Sequence, residues 1–338
     1  MSQSEHEYFR IRQEKAEALR SKGLDPYPAR FNRTHTSLQA LAFFEEREES
    51  HADDLIEISV GGRVMARRGM GKATFLDISD ADGDLQVMLR GNALGEKYEL
   101  LSYLDIGDWL GVKGSLFRTR TGQITLQASE FQIICKALRP LPEKWHGLTD
   151  VETRFRQKYL DLIANEDAAK AARSRSLLVS TMRKFMESKG FIEVETPILV
   201  PIAAGGMAHP FTTHHNALNR TLYLRIATEL HLKRLIVGGL EKVFEIGRVF
   251  RNEGVDQQHN PEFTTMESYE AFADYNDVME MVEQIVSTAA MRLNGSMISP
   301  FGGIELDFTP PWPRIDLRQK IIGVSGIDFF DHEDSESL

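Results

Sequence analysis

The sequence has a single cysteine, Cys135, in 338 residues. One thiol excludes an internal disulfide and a multi-cysteine metal site, and its place in the apolar run FQIIC predicts a buried, inert side chain. Long apolar runs are lacking as well. None approaches the length that crosses a bilayer, and the N-terminal MSQSEHEYFRIR has no apolar signal core. These absences fit a reducing cytoplasm and no membrane partner. Basic charge is in deficit, with 40 Lys and Arg against 50 Asp and Glu and a formal net charge of −10. That balance weighs weakly against nucleic acid binding, although a local basic strip on an acidic protein is sufficient. What remains is ordinary for a globular protein: 42% hydrophobic and 27% charged residues. The length suits about two domains.

Residues 4–22 read as one charged helix ended by Gly23. Its Arg10, Arg12, Lys15, Arg20 and Lys22 could meet a phosphate backbone or simply face solvent. An extended Pro-containing connector, LDPYPARF, a short helix over 38–49 and a polar linker complete an N-terminal extension, 1–54. From 55 to 140 the pattern changes to about five strand-like runs. ADGD and RTGQ supply hairpin turns, and one helix falls between the third and fourth runs, which outlines a small β-barrel. Phe75 and Gln86 lie on neighbouring strands there, with Arg67 and Arg68 on an adjoining one. An aromatic and an amide so placed serve either as core or as a platform for an unpaired base.

A Pro-containing connector, 141–160, leads to a second domain, 161–338. It opens with a long helix over 167–189, whose Leu177, Leu178, Thr181, Met182 and Phe185 form an apolar stripe. Gly190 ends it, and FIEVETPIL is expected as a strand closing on Pro197. Adjacent His214 and His215 on a strand would point to opposite faces, and no metal site is expected from them. Glu229 falls near a helix start. The most informative stretch is 241–275. Val243, Phe244, Ile246, Val249 and Phe250 make a strand, RNEGVDQQHNPE a polar loop, and Phe263 to Tyr269 a second strand of an antiparallel hairpin. Its charges, Arg251, Glu253, His259 and Glu267, sit in and around the loop.

FRNE, a loop and HNPEFT resemble motif 2 of the class II aminoacyl-tRNA synthetases, over some thirty residues. In that family this hairpin floors the ATP and amino-acid site. The helix at 167–189 with its strand and proline resembles motif 1, which implies a homodimer. Residues 55–140 resemble the OB-fold anticodon-binding domain of the lysyl, aspartyl and asparaginyl subgroup, in which an aromatic and a Gln eleven residues later read the central anticodon base. Phe75 and Gln86 match that spacing, and Arg67 and Arg68 are further anticodon-side candidates. The resemblance implies an α+β protein: an N-terminal OB-fold barrel followed by part of a class II antiparallel-sheet catalytic domain.

Within the subgroup the matching residues point to lysine. The resemblance assigns the α-ammonium to Glu229, Glu267 and the Gly205 carbonyl, and the ε-ammonium to Tyr269. It implies lysine–tRNA ligase activity: L-lysine attacks ATP to give lysyl-adenylate, and the lysyl group passes to tRNA(Lys). Arg251 matches the arginine that binds carboxylate and α-phosphate together, so it is the catalytic candidate. Glu253 and Asn260 match positions at the adenine amino edge, Phe263 the ring stacked on adenine, and His259 a phosphate-side contact. Mg²⁺ would bridge phosphate oxygens. Gln258 and His209 depart from the family pattern, standing where basic residues are usual. Nothing in GGIELDF or GIDFFDHEDSESL matches the Gly-rich motif 3 or the acidic metal ligands before it. The expectation is therefore a chain truncated before motif 3, with little activity by itself. The alternatives are an aspartyl or asparaginyl enzyme, a relative that lysylates a protein, and a non-catalytic tRNA-binding fragment.

Overall fold

A computed structural model describes residues 3–50, 56–142, 148–256 and 258–332. Parts of the expected polar linker (51–54) and connector (143–147) lie outside the described residues. The chain divides into two compact units, Met1–Glu166 and Asp167–Leu338.

In the first unit, α1 (Gln3–Ser21) and α2 (Ser37–Glu49) precede β1 (Glu57–Met70), β2 (Ala73–Ser79), β3 (Asp84–Arg90), β4 (Trp109–Arg118) and β5 (Ile124–Cys135). The strands close into a barrel in the order β1-β2-β3-β5-β4. The helix between β3 and β4, α3 (Gly91–Leu94), runs on as a 3₁₀ turn over Gly95–Tyr103. Alternation along the strands explains the closure. Thr74, Leu76 and Ile78 point inward from β2 while Phe75 and Asp77 point outward, so that each strand adds one face to a core with Val60, Val87, Leu110 and Leu126. A capping box starts α2: Thr36 Oγ1 accepts from the Gln39 amide, and Gln39 Oε1 accepts from the Thr36 amide. Two short helices, α4 (Val151–Arg156) and α5 (Lys158–Ala164), follow the barrel.

The second unit begins with α6 (Glu166–Ser188), β6 (Ile192–Glu193), β7 (Leu199–Val200), β8 (Thr212–His215) and β9 (Arg220–Leu224). It continues with α7 (Glu229–Val237), β10 (Lys242–Phe250), β11 (Glu262–Glu270), α8 (Tyr275–Asn294), β12 (Ile298–Phe301), β13 (Ile304–Asp307) and α9 (Leu317–Ser325). One sheet has the order β11-β10-β6, another β7-β9-β8, and β12-β13 form a ribbon. The single strand expected over FIEVETPIL is a correction. Only Ile192 and Glu193 pair with β10, in parallel, and Leu199 and Val200 pair with β9 instead. The segment between them, with Pro197 lacking an amide, changes partners rather than extending one ladder. The helix α8 has no counterpart among the elements expected from the sequence. No helix among the described residues is long and apolar enough to cross a membrane.

Cys135 is also a correction, since its side chain is exposed. Ile133 points inward, but the register of β4 and β5 shifts next to it and turns the last residue of the strand outward. Partial burial still pushes the thiol pKa up, against the pull of Arg63.

The next residue, Lys136, is fully buried between Asp105 at 2.5 Å and Asp108 at 2.7 Å. From α1, Lys15 reaches Asp105 at 2.5 Å, and Arg12 Nη1 donates to the carbonyls of Ala137 and Arg139 at 2.9 and 3.2 Å. Two of the basic residues considered for phosphate contact thus tie α1 to the barrel. Burial opposes ionisation of Asp105, but hydrogen bonds from Lys136 and Lys15 outweigh it and hold the carboxyl below its ordinary range. Folding therefore lowers this pKa. The stabilisation is complete above the unfolded carboxylate value and is lost as pH falls through the lower folded one. Urea midpoints of the parent should fall on acidification below about pH 4. Asp105→Asn should be less stable at neutral pH and lose part of that acid dependence; an unchanged profile would contradict the assignment.

Candidate active site

The β10–β11 hairpin has two chemically distinct faces, and strand parity decides which residue takes which. Phe244 and Ile246, opposite Ser268 and Met266, look toward one side. There Phe244 packs with Phe185, Met186, Phe191 and Ile285, with Ile246 and Met266 at the margin of the cluster. The other face carries Val243, Glu245, Gly247 and Val249 opposite Tyr269, Glu267, Thr265 and Phe263. Residues 263, 267 and 269 therefore share one face because they are an even number of positions apart.

That face rests on a buried ion pair. Arg225, 3% exposed, places Nη1 2.6 Å from Glu245 Oε1, and the Glu245 side chain is 5% exposed. The guanidinium also donates to the carbonyls of Arg248 and Thr196 at 2.8 and 3.0 Å, and Thr196 Oγ1 donates to the second Glu245 oxygen at 2.6 Å. Gly247 permits this arrangement: a Cβ there would lie 2.3 Å from Arg225 Nη2 and 2.9 Å from Glu245 Oε1. None of Arg225, Glu245 and Thr196 was singled out from the sequence. The available signals were a charged residue inside the apolar strand VFEIG and a glycine two positions on, which marks a close approach.

The residues matched to lysine come together. Gly205 has φ +95°, and a Cβ on it would lie 2.9 Å from Ala227 Cβ and 3.4 Å from Glu229 Cβ. Glu229 is the first residue of α7, and Glu267 accepts from the amide of Thr228 at 3.4 Å. Burial first, then the charges of Glu229 and Glu267, push the Tyr269 phenol up to about 12. At neutral pH that hydroxyl stays protonated beside the carboxylates.

At the loop end of the same face, Arg251 extends the ladder by donating its amide to the Pro261 carbonyl at 2.8 Å. Its guanidinium carbon stands 5.3 Å from the Phe263 ring centroid, and its buried Nε has no hydrogen-bond partner. A buried orphan donor on a cation is a group prepared for an anion. His209 accepts from the Asn252 amide at 2.7 Å through its carbonyl, so this departure from the family pattern borders the loop. Asp256, not anticipated from the sequence, organises the loop: it accepts from the amides of Gln258 and His259, at 2.7 and 2.8 Å, and lies 2.8 Å from the His259 ring. Those contacts, backbone first, hold its pKa below the ordinary value. His259 is thus held by Asp256, while Glu253 and Asn260 lie exposed in the loop.

On the barrel, Phe75 pairs with Met88 and Asp77 with Gln86, which puts Phe75 and Gln86 on one outward face, both half-buried. Arg68 pairs with Phe75 and grips Asp77 through two 2.8 Å hydrogen bonds. Gln86 Oε1 accepts from Thr125 Oγ1 at 2.9 Å. Arg67 is not brought to this face: it donates to the carbonyls of Leu101 and Leu104 at 2.8 and 3.1 Å. Among the described residues no group of His, Cys, Asp or Glu is placed to hold a metal.

The support under the hairpin face gives a direct test. Gly247→Ala must displace the guanidinium from a carboxylate that stays buried, and should cost about 2–4 kcal/mol in chemical denaturation. A loss under about 0.5 kcal/mol, the scale of an ordinary surface change, would contradict the role given to the pair.

A family model described as tRNA synthetases class II (D, K and N) matches residues 150–334, and one described as OB-fold nucleic acid binding domain matches residues 58–134. A lysine–tRNA ligase of Dehalococcoides mccartyi is 53% identical over 328 residues, covering 96% of this chain and 66% of the relative. Those of Pelotomaculum thermopropionicum and Bacillus subtilis are 51% and 45% identical, covering 96% and 98% of this chain and 63% and 68% of the relatives. The chain thus spans about two thirds of the length of these relatives, 66% for the first. With its class II model and its OB-fold barrel, the chain belongs to the class II tRNA synthetases of the aspartate, lysine and asparagine group.

Proposed function

We propose that this chain carries the amino-acid-activating and anticodon-recognising parts of a lysine–tRNA ligase. The observation that supports it most is the gathering of Gly205, Glu229, Glu267 and Tyr269 on the hairpin face that also carries Arg251 and Phe263. L-Lysine is a dication with one carboxylate, so a selective site offers anions to the ammoniums and a cation to the carboxylate. In this reading Glu229, Glu267 and the Gly205 carbonyl hold the α-ammonium, and the neutral Tyr269 hydroxyl accepts from the ε-ammonium.

Arg251 then holds the substrate carboxylate against the α-phosphate of ATP. Two anions must meet, and a planar guanidinium can bind both while their charges would otherwise keep them apart. A carboxylate oxygen forms the new bond to the α-phosphorus, the bond to the β-phosphate oxygen breaks, and pyrophosphate leaves. The terminal hydroxyl of tRNA next attacks the acyl carbon of the adenylate, forming an ester and releasing AMP. Phe263 offers the adenine a face, Glu253 and Asn260 its amino edge, and His259 the phosphates once it leaves Asp256. Mg²⁺ supplies charge neutralisation to the phosphates, but the described residues offer no cluster of ligands for it, and no step is assigned to it. On the barrel, Phe75 is the stacking surface, Gln86 the base-edge reader and Arg68 a phosphate contact of tRNA(Lys). A cytoplasmic homodimer through α6 completes the reading.

The test is ATP–pyrophosphate exchange by this chain, with lysine, aspartate and asparagine each offered, and anticodon stem-loop binding beside it. Exchange at a low rate, and with lysine only, is expected. Arg251→Lys, which keeps the charge and loses the fork, should lower it about a hundredfold. Exchange with aspartate or asparagine would move the assignment within the group. No exchange with any of them, together with specific binding of a lysine anticodon loop, would leave RNA recognition as the function.

A further inference from the structure

The ammonium corner of the site already contains a cation. Lys233 lies four residues after Glu229 on α7, so both side chains rise from one face of the helix. Its Nζ is 2.5 Å from Glu229 Oε1 and 5.7 Å from the centroid of the Tyr269 ring. The side chains of Lys233 and Glu229 are 54% and 34% exposed, so the pair is accessible and its members can separate. Glu229 Oε2 faces the other way, 3.8 Å from the position of a Cβ on Gly205. A carboxylate contact and an aromatic face are what an ammonium ligand would seek here, and a side chain of the chain itself takes both.

We infer that Lys233 is a resident counter-ion of the ammonium site, which an incoming amino acid must displace from Glu229 before its own α-ammonium can bind. The inference rests on the lysine-site reading given above. Its physical content is an exchange. An amino acid with one ammonium replaces one Glu229 partner by another and gains little from the contact. A ligand with a second ammonium gains in addition at the Tyr269 hydroxyl, while the displacement at Glu229 costs both kinds of ligand the same. Lys233 thus sets affinity by competition for a contact common to all α-amino acids, and it does not touch the reacting carboxylate.

The test uses the full chain, Lys233→Met and Lys233→Arg, with equilibrium binding of L-lysine and of L-norleucine, the isostere without the ε-nitrogen. The Met variant removes the competitor at an exposed helix position, so folding is preserved. It should bind L-lysine about two- to fivefold more tightly, the scale of releasing a partly exposed ion pair. L-Norleucine should gain by about the same factor, since the contact released at Glu229 is common to both ligands. The Arg variant, still cationic, should stay near the parent. If the pair is only a helix brace, Lys233→Met melts lower while both affinities stand still, which overturns the inference. Weaker lysine binding by the Met variant overturns it as well. If the parent binds neither ligand, the lysine-site reading itself falls and the inference with it.

Discussion

Glu245 and Glu267 stand directly opposite each other on the β10–β11 hairpin, on the face turned away from α6 and α8. Two carboxylates so placed repel, and a face lined this way would not form without a cation. Arg225 supplies it, buried, bonded to Glu245 and fixed by the carbonyls of Arg248 and Thr196. The pair neutralises one glutamate, while the other accepts from the Thr228 amide at 3.4 Å. A buried ion pair adds little net stability, because desolvation offsets the attraction. What it does here is specify: it decides which glutamate is spent on structure and which faces the site. Gly247 leaves room for the guanidinium, and the Phe250 amide donates to the Arg225 carbonyl at 3.0 Å, so the strand end that leads to Arg251 is held by the same residue.

The charged groups of the site are mostly satisfied internally. Lys233 occupies Glu229, Asp256 holds His259, and Glu245 is saturated by Arg225 and Thr196. Among the described residues, the buried Nε of Arg251 is an exception. Ligand binding in the proposed reaction is therefore largely an exchange of ionic partners, which keeps its net free energy small compared with the Coulomb attractions involved. Arg251 differs in having an unmatched donor where the reaction joins two anions. A group already desolvated and lacking a partner loses little on binding an anion, and so is well placed to favour the charge that develops there.

Much of this was legible in the sequence, because strand parity is a local property. Alternation alone places Phe263, Glu267 and Tyr269 on one face, and it separates Arg68 from Arg67 on the barrel. Helix α6 and its glycine stop, and the barrel with its interposed helix, follow from patterns spanning fewer than about thirty residues. What escaped depends on distant partners. Arg12 and Lys15 look like solvated helix charges until Asp105 and the carbonyls after β5 meet them. Cys135 sits in an apolar run but past a shift of register, which no local pattern reveals. FIEVETPIL has strand composition throughout, yet its two ends pair with different strands. Arg225 is separated by twenty residues from the glutamate that explains it.

In the proposed reading, one hairpin face binds both halves of an aminoacyl-adenylate. The most direct measurement is a co-crystal structure of this chain with the non-hydrolysable analogue lysyl-sulfamoyl-adenosine, with the aspartyl analogue as control. The sulfamate is expected at the Arg251 guanidinium, adenine against Phe263, and the lysyl ammoniums among Glu229, Glu267 and Tyr269, with the aspartyl analogue failing to bind. An analogue seated away from this face, or equal binding of the aspartyl compound, would contradict it.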